Sequence, residues 1–378
     1  MTDARYWVGF NLIPQIGPVK ARRLLDHFGD LAAAWRASAL ELAAAGLDRR
    51  ALENVLAARP QIDLDAEMDK IARAGVRVLV WDDPTFPRLL IDIPNPPFAL
   101  YVKGEIIAED EWSVAVVGTR RASAYGREVT RQIVTDLVRN RITVVSGLAR
   151  GIDAEAHRAA LDAQGRTLAV LGCGVDVVYP PEHAKLAQQI AEHGALVSEY
   201  PLGTLPEAGN FPPRNRIISG LSLGTLIVEG DESTGARITI EDALEQGRET
   251  FAVPGNLYRR ETRGPNKMIQ RGEAKLVTCA MDILEELNLT MVEEHQQVRA
   301  AIPENEIEST LLKHLSADPV HIDELGRETG LPIASVSSTL ALMELKGMVK
   351  QIGGMNYVVA RENAANYTAD RRQKTNDE

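Results

Sequence analysis

The residues best suited to chemistry gather in a few segments, and the chemistry they suit is the holding of phosphate and base. Gly118-Thr119-Arg120 combines a residue that allows a tight turn, a hydroxyl with neighbouring amides that donate to an anion, and a guanidinium that pairs with phosphate in bidentate fashion. Ser146-Gly147-Leu148-Ala149-Arg150-Gly151-Ile152-Asp153 repeats the combination, with Asp153 better suited to capping a helix than to meeting a ligand. Phe211, followed by Arg214, Asn215 and Arg216, offers a π-face on which a base stacks for about 1–3 kcal/mol, and guanidinium groups for phosphates or base edges. With Pro212 and Pro213 inside it, the run from Phe211 to Gly220 reads as a rigid binding loop. The structural alternative is a packed phenylalanine with its arginines held in salt bridges. Thr234-Gly235-Ala236 stands before a helix rich in Glu241, Asp242 and Glu245 and adds one more helix N-terminus.

Constellations for catalysis are thinner. His157, His183 and His193 lack metal-ligand spacing, and no Walker lysine motif, nucleophile elbow or Cys-x-x-Cys pair occurs. The single glycine of Gly118-Thr119-Arg120-Arg121-Ala122-Ser123 does not make the three-glycine dinucleotide fingerprint, so NAD is not expected, nor any other cofactor. His157 reads as a surface or capped histidine, and Glu199 as an acid without an evident partner. The residues propose a binding surface and no metal site.

These segments need a frame that brings them to one edge. Val114–Val117, Thr143–Ser146, Thr167–Leu171, Ala195–Ser198, Gly224–Val228 and Thr250–Val253 are short apolar, β-branched runs alternating with helical patterns, the mark of a doubly wound, mostly parallel α/β sheet. The glycine, hydroxyl and arginine residues, including Gly172-Cys173-Gly174 after the third of these strands, directly follow strand ends, where such sheets bind ligands. Before the sheet, Tyr6 to about Arg59 is helical. Ile13-Pro14-Gln15-Ile16-Gly17-Pro18-Val19-Lys20 resembles the turn of a helix-hairpin-helix (SAM-like) domain, serving either DNA backbone contact or folding alone. Tyr101-Val102-Lys103-Gly104 reads as an edge strand. After Leu284 a polar linker leads to three helices and two strand-like runs in winged-helix order, whose would-be recognition helix, Ala334 to Leu345, has no basic residue; protein contact or a folding role fits it better than groove reading. The expected organisation is 1–75 helical, 76–285 Rossmann-type, 286–302 linker, 303–360 winged-helix-like and 361–378 disordered tail.

Composition bounds the rest. At 45% hydrophobic and 25% charged, the chain has the make-up of a soluble globular protein with ample core. Two distant cysteines suit free thiols in a reducing compartment, and no run approaches the roughly 18 apolar residues of a membrane span; a cytoplasmic protein without membrane contact is expected. A formal net charge of −11 excludes coating of nucleic acid by overall positive potential. Residues 1–75 balance ten basic against ten acidic side chains and residues 284–378 set nine against sixteen, leaving the middle at −4. Any anion site there depends on a few placed arginines and backbone amides.

Taken together, Val117-Gly118-Thr119-Arg120, Ser146 to Asp153, Gly172 to Asp176 with Tyr179-Pro180, Ser198-Glu199-Tyr200-Pro201, Phe211 to Ser222, Val253-Pro254-Gly255 and Gly264-Pro265-Asn266-Lys267 resemble, in order, the DNA-processing protein A (DprA/Smf) family. The resemblance implies an extended Rossmann-type fold that binds single-stranded DNA, forms a homodimer and loads the RecA recombinase onto DNA taken up in natural transformation, with no established catalysis. Carried over, Arg120 and Arg150 contact phosphates, Phe211 stacks a base, and Arg214 and Arg216 line the pocket. The chain departs from the family pattern in having no lysine shortly before Phe211 and in Gly230-Asp231-Glu232, which adds negative charge; Lys185 or Lys267 could compensate. The reading from another class is a nucleotide-cleaving enzyme similar to the lysine-decarboxylase-like phosphoribohydrolases, with Glu241 as its acid. A third is an interaction scaffold with a vestigial pocket.

Overall fold

The computed structural model describes residues 3–232, 234–289, 306–315, 320–345, 349–351 and 355–359. The chain divides into two compact units, residues 1–287 and 288–378.

The first unit opens with α1 (Ala4–Asn11), α2 (Pro18–Phe28), α3 (Leu31–Arg36), α4 (Ala39–Ala44), α5 (Arg49–Ala58) and α6 (Leu64–Arg73). Aspartate and serine start most of them: Asp30, Ser38, Asp48 and Asp63 each accept a backbone N–H of the helix they precede. Their aromatic core does not close on itself. Trp7 meets Trp81 edge-on at 5.7 Å, and Arg22 lies 4.1 Å over the Trp81 ring. The helical part is thereby welded to the sheet that follows, and the expected boundary at residue 75 falls inside this unit, where α6 runs into the first strand.

The sheet is built from β1 (Val76–Val80), β2 (Ala99–Gly104), β3 (Ser113–Val117), β4 (Thr143–Ser146), β5 (Thr167–Val170), β6 (Ala195–Ser198), β7 (Gly224–Ile227), β8 (Glu249–Ala252) and β9 (Lys275–Leu276), in the order β1-β2-β6-β5-β4-β3-β7-β8-β9. β6 through β9 pair in parallel and β1 and β2 are antiparallel. β3 to β7 are buried throughout, which is why they read as unbroken apolar runs. Between the strands lie α7 (Arg88–Ile91), α8 (Ala124–Arg139), α9 (Ile152–Asp162), α10 (Ala184–His193), α11 (Phe211–Gly220), α12 (Gly235–Glu245) and α13 (Arg263–Arg271), with α14 (Ala280–Glu286) after the last. The doubly wound α/β fold is as expected from the sequence, with two corrections. β2 is no edge strand: it lies between β1 and β6. The segment from Phe211 to Gly220 is no loop: Pro212 and Pro213 sit in the first turn of α11, where an N–H has no helical partner to lose.

From β3 the chain winds outward through β4, β5 and β6, then returns to place β7 on the other side of β3. That reversal opens a crevice at the carboxyl ends of β3 and β7.

In the second unit, α15 (Glu306–His314), α16 (Ile322–Thr329) and α17 (Ile333–Leu345) pack on a sheet of order β10-β12-β11, where β10 is Val320–His321, β11 Val349–Gln351 and β12 Asn356–Val359. Leu311, Leu325, Val336, Leu340 and Met343 form its buried centre. The glycine turn expected at Gly353-Gly354, most of the linker expected over 286–302 and the whole tail over 361–378 lie outside the described residues. No described helix is long and apolar enough to cross a membrane.

Candidate nucleic-acid interface

A cleft of ≈ 630 Å³ occupies the crevice. One wall is the turn after β3, Gly118–Arg121; the floor is Ala149 and Asp153 after β4; the facing wall is Pro206, Ala208 and the first half of α11; the far end is Thr234–Thr239, the start of α12.

The turn after β3 is held from below. The Thr119 amide donates to the Glu229 carbonyl at 2.7 Å and the Ile152 amide to the Thr119 carbonyl at 3.2 Å. Gly151 has φ +79°, and a Cβ there would run into the Thr119 carbonyl oxygen, so the crossing of these two loops requires glycine. Ser123 ends the turn by capping α8, accepting the Gly126 amide at 3.0 Å, while its own amide and hydroxyl donate to the buried Glu229 carboxylate at 2.9 and 2.5 Å. Arg120 is left at the tip, exposed and without an ion pair to any described residue. Its guanidinium carbon is 5.8 Å from the centre of the half-buried Phe211 ring.

Arg214 approaches the same ring at 5.9 Å but from inside the protein, where it is 5% exposed. Its Nη1 donates to the Gly147 carbonyl at 2.9 Å and to the Val170 carbonyl, and its Nε to Asn215 Oδ1 at 3.2 Å. A Cβ on Gly147 would stand 2.6 Å from Nη2, so the close approach needs glycine there. Burial pushes the guanidinium down to about 10 while the nearby Asp153 carboxylate opposes that drop; Asp153 itself is raised by burial, with Arg214 opposing. Both are buried at the cleft lining, their charges opposing without a direct bond between them among the described residues. Asp153 does not cap α9, which starts at Ile152 after Gly151; it takes the Ala149 amide at 3.4 Å.

The other expected residues divide. Asn215, Thr234 and Gly235 join Gly118, Thr119, Arg120, Phe211 and Arg214 in lining the cleft. Asn215 Nδ2 donates to the Gly235 carbonyl at 3.3 Å and so ties α11 to the N-terminus of α12. Gly172 lies directly under Phe211, where a Cβ would come within 2.9 Å of the ring. Ser146 gives its hydroxyl to the Val116 carbonyl at 2.6 Å and serves the sheet. Arg150 is exposed but paired with Glu182 at 2.5 Å. Gly174 sits by Thr204, bonded to its carbonyl at 3.0 Å. Arg216 turns away from the cleft, gripping Glu199 with two bonds of 2.6 and 2.7 Å and the Asn95 carbonyl at 2.9 Å. Glu199 therefore has a partner. Lys267, on α13, bonds Gln270 outside the cleft. His157 is fully buried against Thr167 Oγ1 at 2.7 Å, and burial drives it down to about 3, so it stays neutral in the core instead of standing at the surface.

Tyr179 is the cleft neighbour the residue types alone did not single out: its ring centre is 5.7 Å from that of Phe211. The signal was present, an aromatic before proline in a loop after a strand, but only the fold shows which aromatic it meets. Arg121, exposed beside Arg120, also lines the cleft.

Comparison with known proteins gives this geometry relatives. Residues 77–288 match the model of the DNA recombination-mediator protein A family and residues 295–355 that of the DprA winged helix domain. The chain is 34% identical to protein Smf of Synechocystis, covering 94% of this chain and 98% of that one. It is 43% identical to the DNA processing protein DprA of Bacillus subtilis over 56% of this chain and 72% of the relative. Among solved structures, the DprA of Streptococcus pneumoniae superposes with a TM-score of 0.68 at 33% identity, over 76% of this chain and 99% of that one. The Helicobacter pylori DNA processing protein A, described for its single-stranded DNA binding mode, does so at 0.51 and 29% identity, over 56% and 95%.

Proposed function

Because the chain belongs to the DNA recombination-mediator protein A family, we propose that it binds single-stranded DNA in the cleft between β3 and α11, shields it, and hands it to a RecA-type recombinase during transformation and recombination. The observation that carries this reading is the pairing of an exposed, uncompensated Arg120 with a half-buried aromatic ring 5.8 Å away at the carboxyl edge of a parallel sheet. A phosphate meets the Arg120 guanidinium, and the attached base lies against Phe211 with Tyr179 beside it. Arg214 supports this arrangement through the Gly147 and Val170 carbonyls, while Arg150 and Arg216 are held by Glu182 and Glu199.

The single-strand binding mode described for the Helicobacter relative supports the choice of ligand. A homodimer, a cytoplasmic setting and the delivery of DNA to the recombinase belong to the same proposal. The protein acts without catalysis on this reading: Asp153 is buried and accepts the Ala149 amide, His157 lies in the core, and Glu241, the acid of the hydrolase reading, is held by Arg237 at 2.8 Å, away from the cleft. The test is fluorescence anisotropy with a labelled oligo-dT strand and a duplex of equal length. Tighter, salt-sensitive binding of the single strand is expected; equal affinity for the two, or no binding at low salt, overturns the reading.

A further inference from the structure

β3, β7 and β8 run parallel, so the segment after β8 emerges at the same edge as the cleft. It is firmly built. Tyr125 Oη donates to the Pro254 carbonyl at 2.8 Å, Gly255 and Asn266 exchange two bonds of 3.0 and 2.9 Å, and the Gly230 amide donates to the Glu261 carbonyl at 2.6 Å. The Asn256 side chain accepts the Tyr258 amide at 2.9 Å, fixing the tip as a turn. Yet that rigid tip presents Leu257 at 76% and Tyr258 at 92% exposure, with Arg259 exposed next to them. Nothing in the packing of the described residues calls for an aromatic there.

Beneath the tip lies a second pocket, of ≈ 550 Å³, lined by Tyr125, Asn256, Arg259, Glu261 and Thr262 with Glu229 at its base. The turn after β3 borders both pockets, Gly118–Arg121 lining the first cleft and Ser123–Tyr125 the second. The N-terminus of α8 opens into it, but the Glu229 carboxylate already fills the anion position there by accepting from Ser123. A phosphate is therefore disfavoured at the base, whereas a base edge that donates hydrogen bonds is favoured, with Arg259 at the rim for the phosphate.

We propose that this second pocket takes a neighbouring nucleotide of the single strand held in the first cleft: its base enters along the Tyr125 ring, its phosphate meets Arg259, and the next base lands on Tyr258. The inference rests on the first cleft receiving single-stranded DNA, and it extends the track across β7 to β8. A rigid platform loses little entropy on binding, which is the advantage of holding the tip in a fixed turn.

The experiment measures affinity for oligonucleotides of about 5 and about 20 nucleotides, the short one sized to the first cleft. The Tyr258→Ala/Arg259→Ala variant, whose substituted side chains are exposed and leave the fold intact, is compared with Arg120→Ala. The double variant should lose about tenfold or more in affinity for the long strand and nothing for the short one. Unchanged affinity for the long strand, or an equal loss at both lengths, overturns the second pocket. An unchanged Arg120→Ala counts against the first cleft alone, so the two failures are told apart. Arg259→Glu supplies the second reading: it should weaken the long strand further than Arg259→Ala does, and equal effects would again count against the pocket.

Discussion

Arg120 and Arg214 stand at almost the same distance from Phe211, 5.8 and 5.9 Å, and do opposite work. Arg120 is exposed and uncommitted, so its charge is available to a ligand. Arg214 is 5% exposed and spends its donors on two main-chain carbonyls and a neighbouring amide while balancing Asp153. Identical side chains beside one ring thus separate into a free, exposed group and a structural one, and burial decides which is which.

The largest expected effect attacks the structural side. Arg214→Ala leaves Asp153 without its opposing charge and two buried carbonyls without donors, and should cost about 3–5 kcal/mol in urea unfolding; a fully stable variant that has merely lost DNA binding would reverse the assignment of the two arginines. On the binding side, Phe211→Ala should weaken single-strand affinity by about 1–3 kcal/mol, measured by anisotropy. Arg120→Ala should follow at about tenfold, with a stability change within about 0.5 kcal/mol.

The smallest effect sharpens the contrast between paired and unpaired carboxyls. Asp242 has a buried oxygen with no hydrogen-bond partner among the described residues, and burial together with Glu245 raises it to about 6 from an ordinary 3.8. A carboxyl raised on folding favours the protonated folded state, so its contribution is fully present below about pH 3.8 and is lost as pH rises through about 6. Asp242→Asn should therefore stabilise the protein near pH 7 by on the order of 1 kcal/mol after solvent screening, an advantage that fades below pH 4.

Much of the frame was legible because its physics is local. β-branched runs such as Val114–Val117 alternate with capped helices such as α8, whose bounds Ala124–Arg139 follow from Ser123 and the apolar spacing. The position of β2 was not, since its pairing with β1 and β6 is made by residues distant in the chain. α11 was misread because prolines were weighed as helix breakers when they sat in the one turn that tolerates them. Within the site, residue type announced phosphate and base chemistry, but type carries no direction. Which arginine faces solvent depends on how α11 packs against β5 and on Gly147 leaving room for Arg214. Tyr179 stood in one of the quoted motifs, but its meeting with Phe211 became visible only when its loop was placed in the fold.

The central claim is that the uncommitted arginine of the β3 turn meets a phosphate of a single strand. Its most direct test is a salt titration of oligo-dT binding by the native protein and by Arg120→Ala. The account predicts a slope of log affinity against log salt that is shallower by about 0.7 in the variant, the share of one lost phosphate contact on a single strand. Parallel slopes with equal affinities would contradict it.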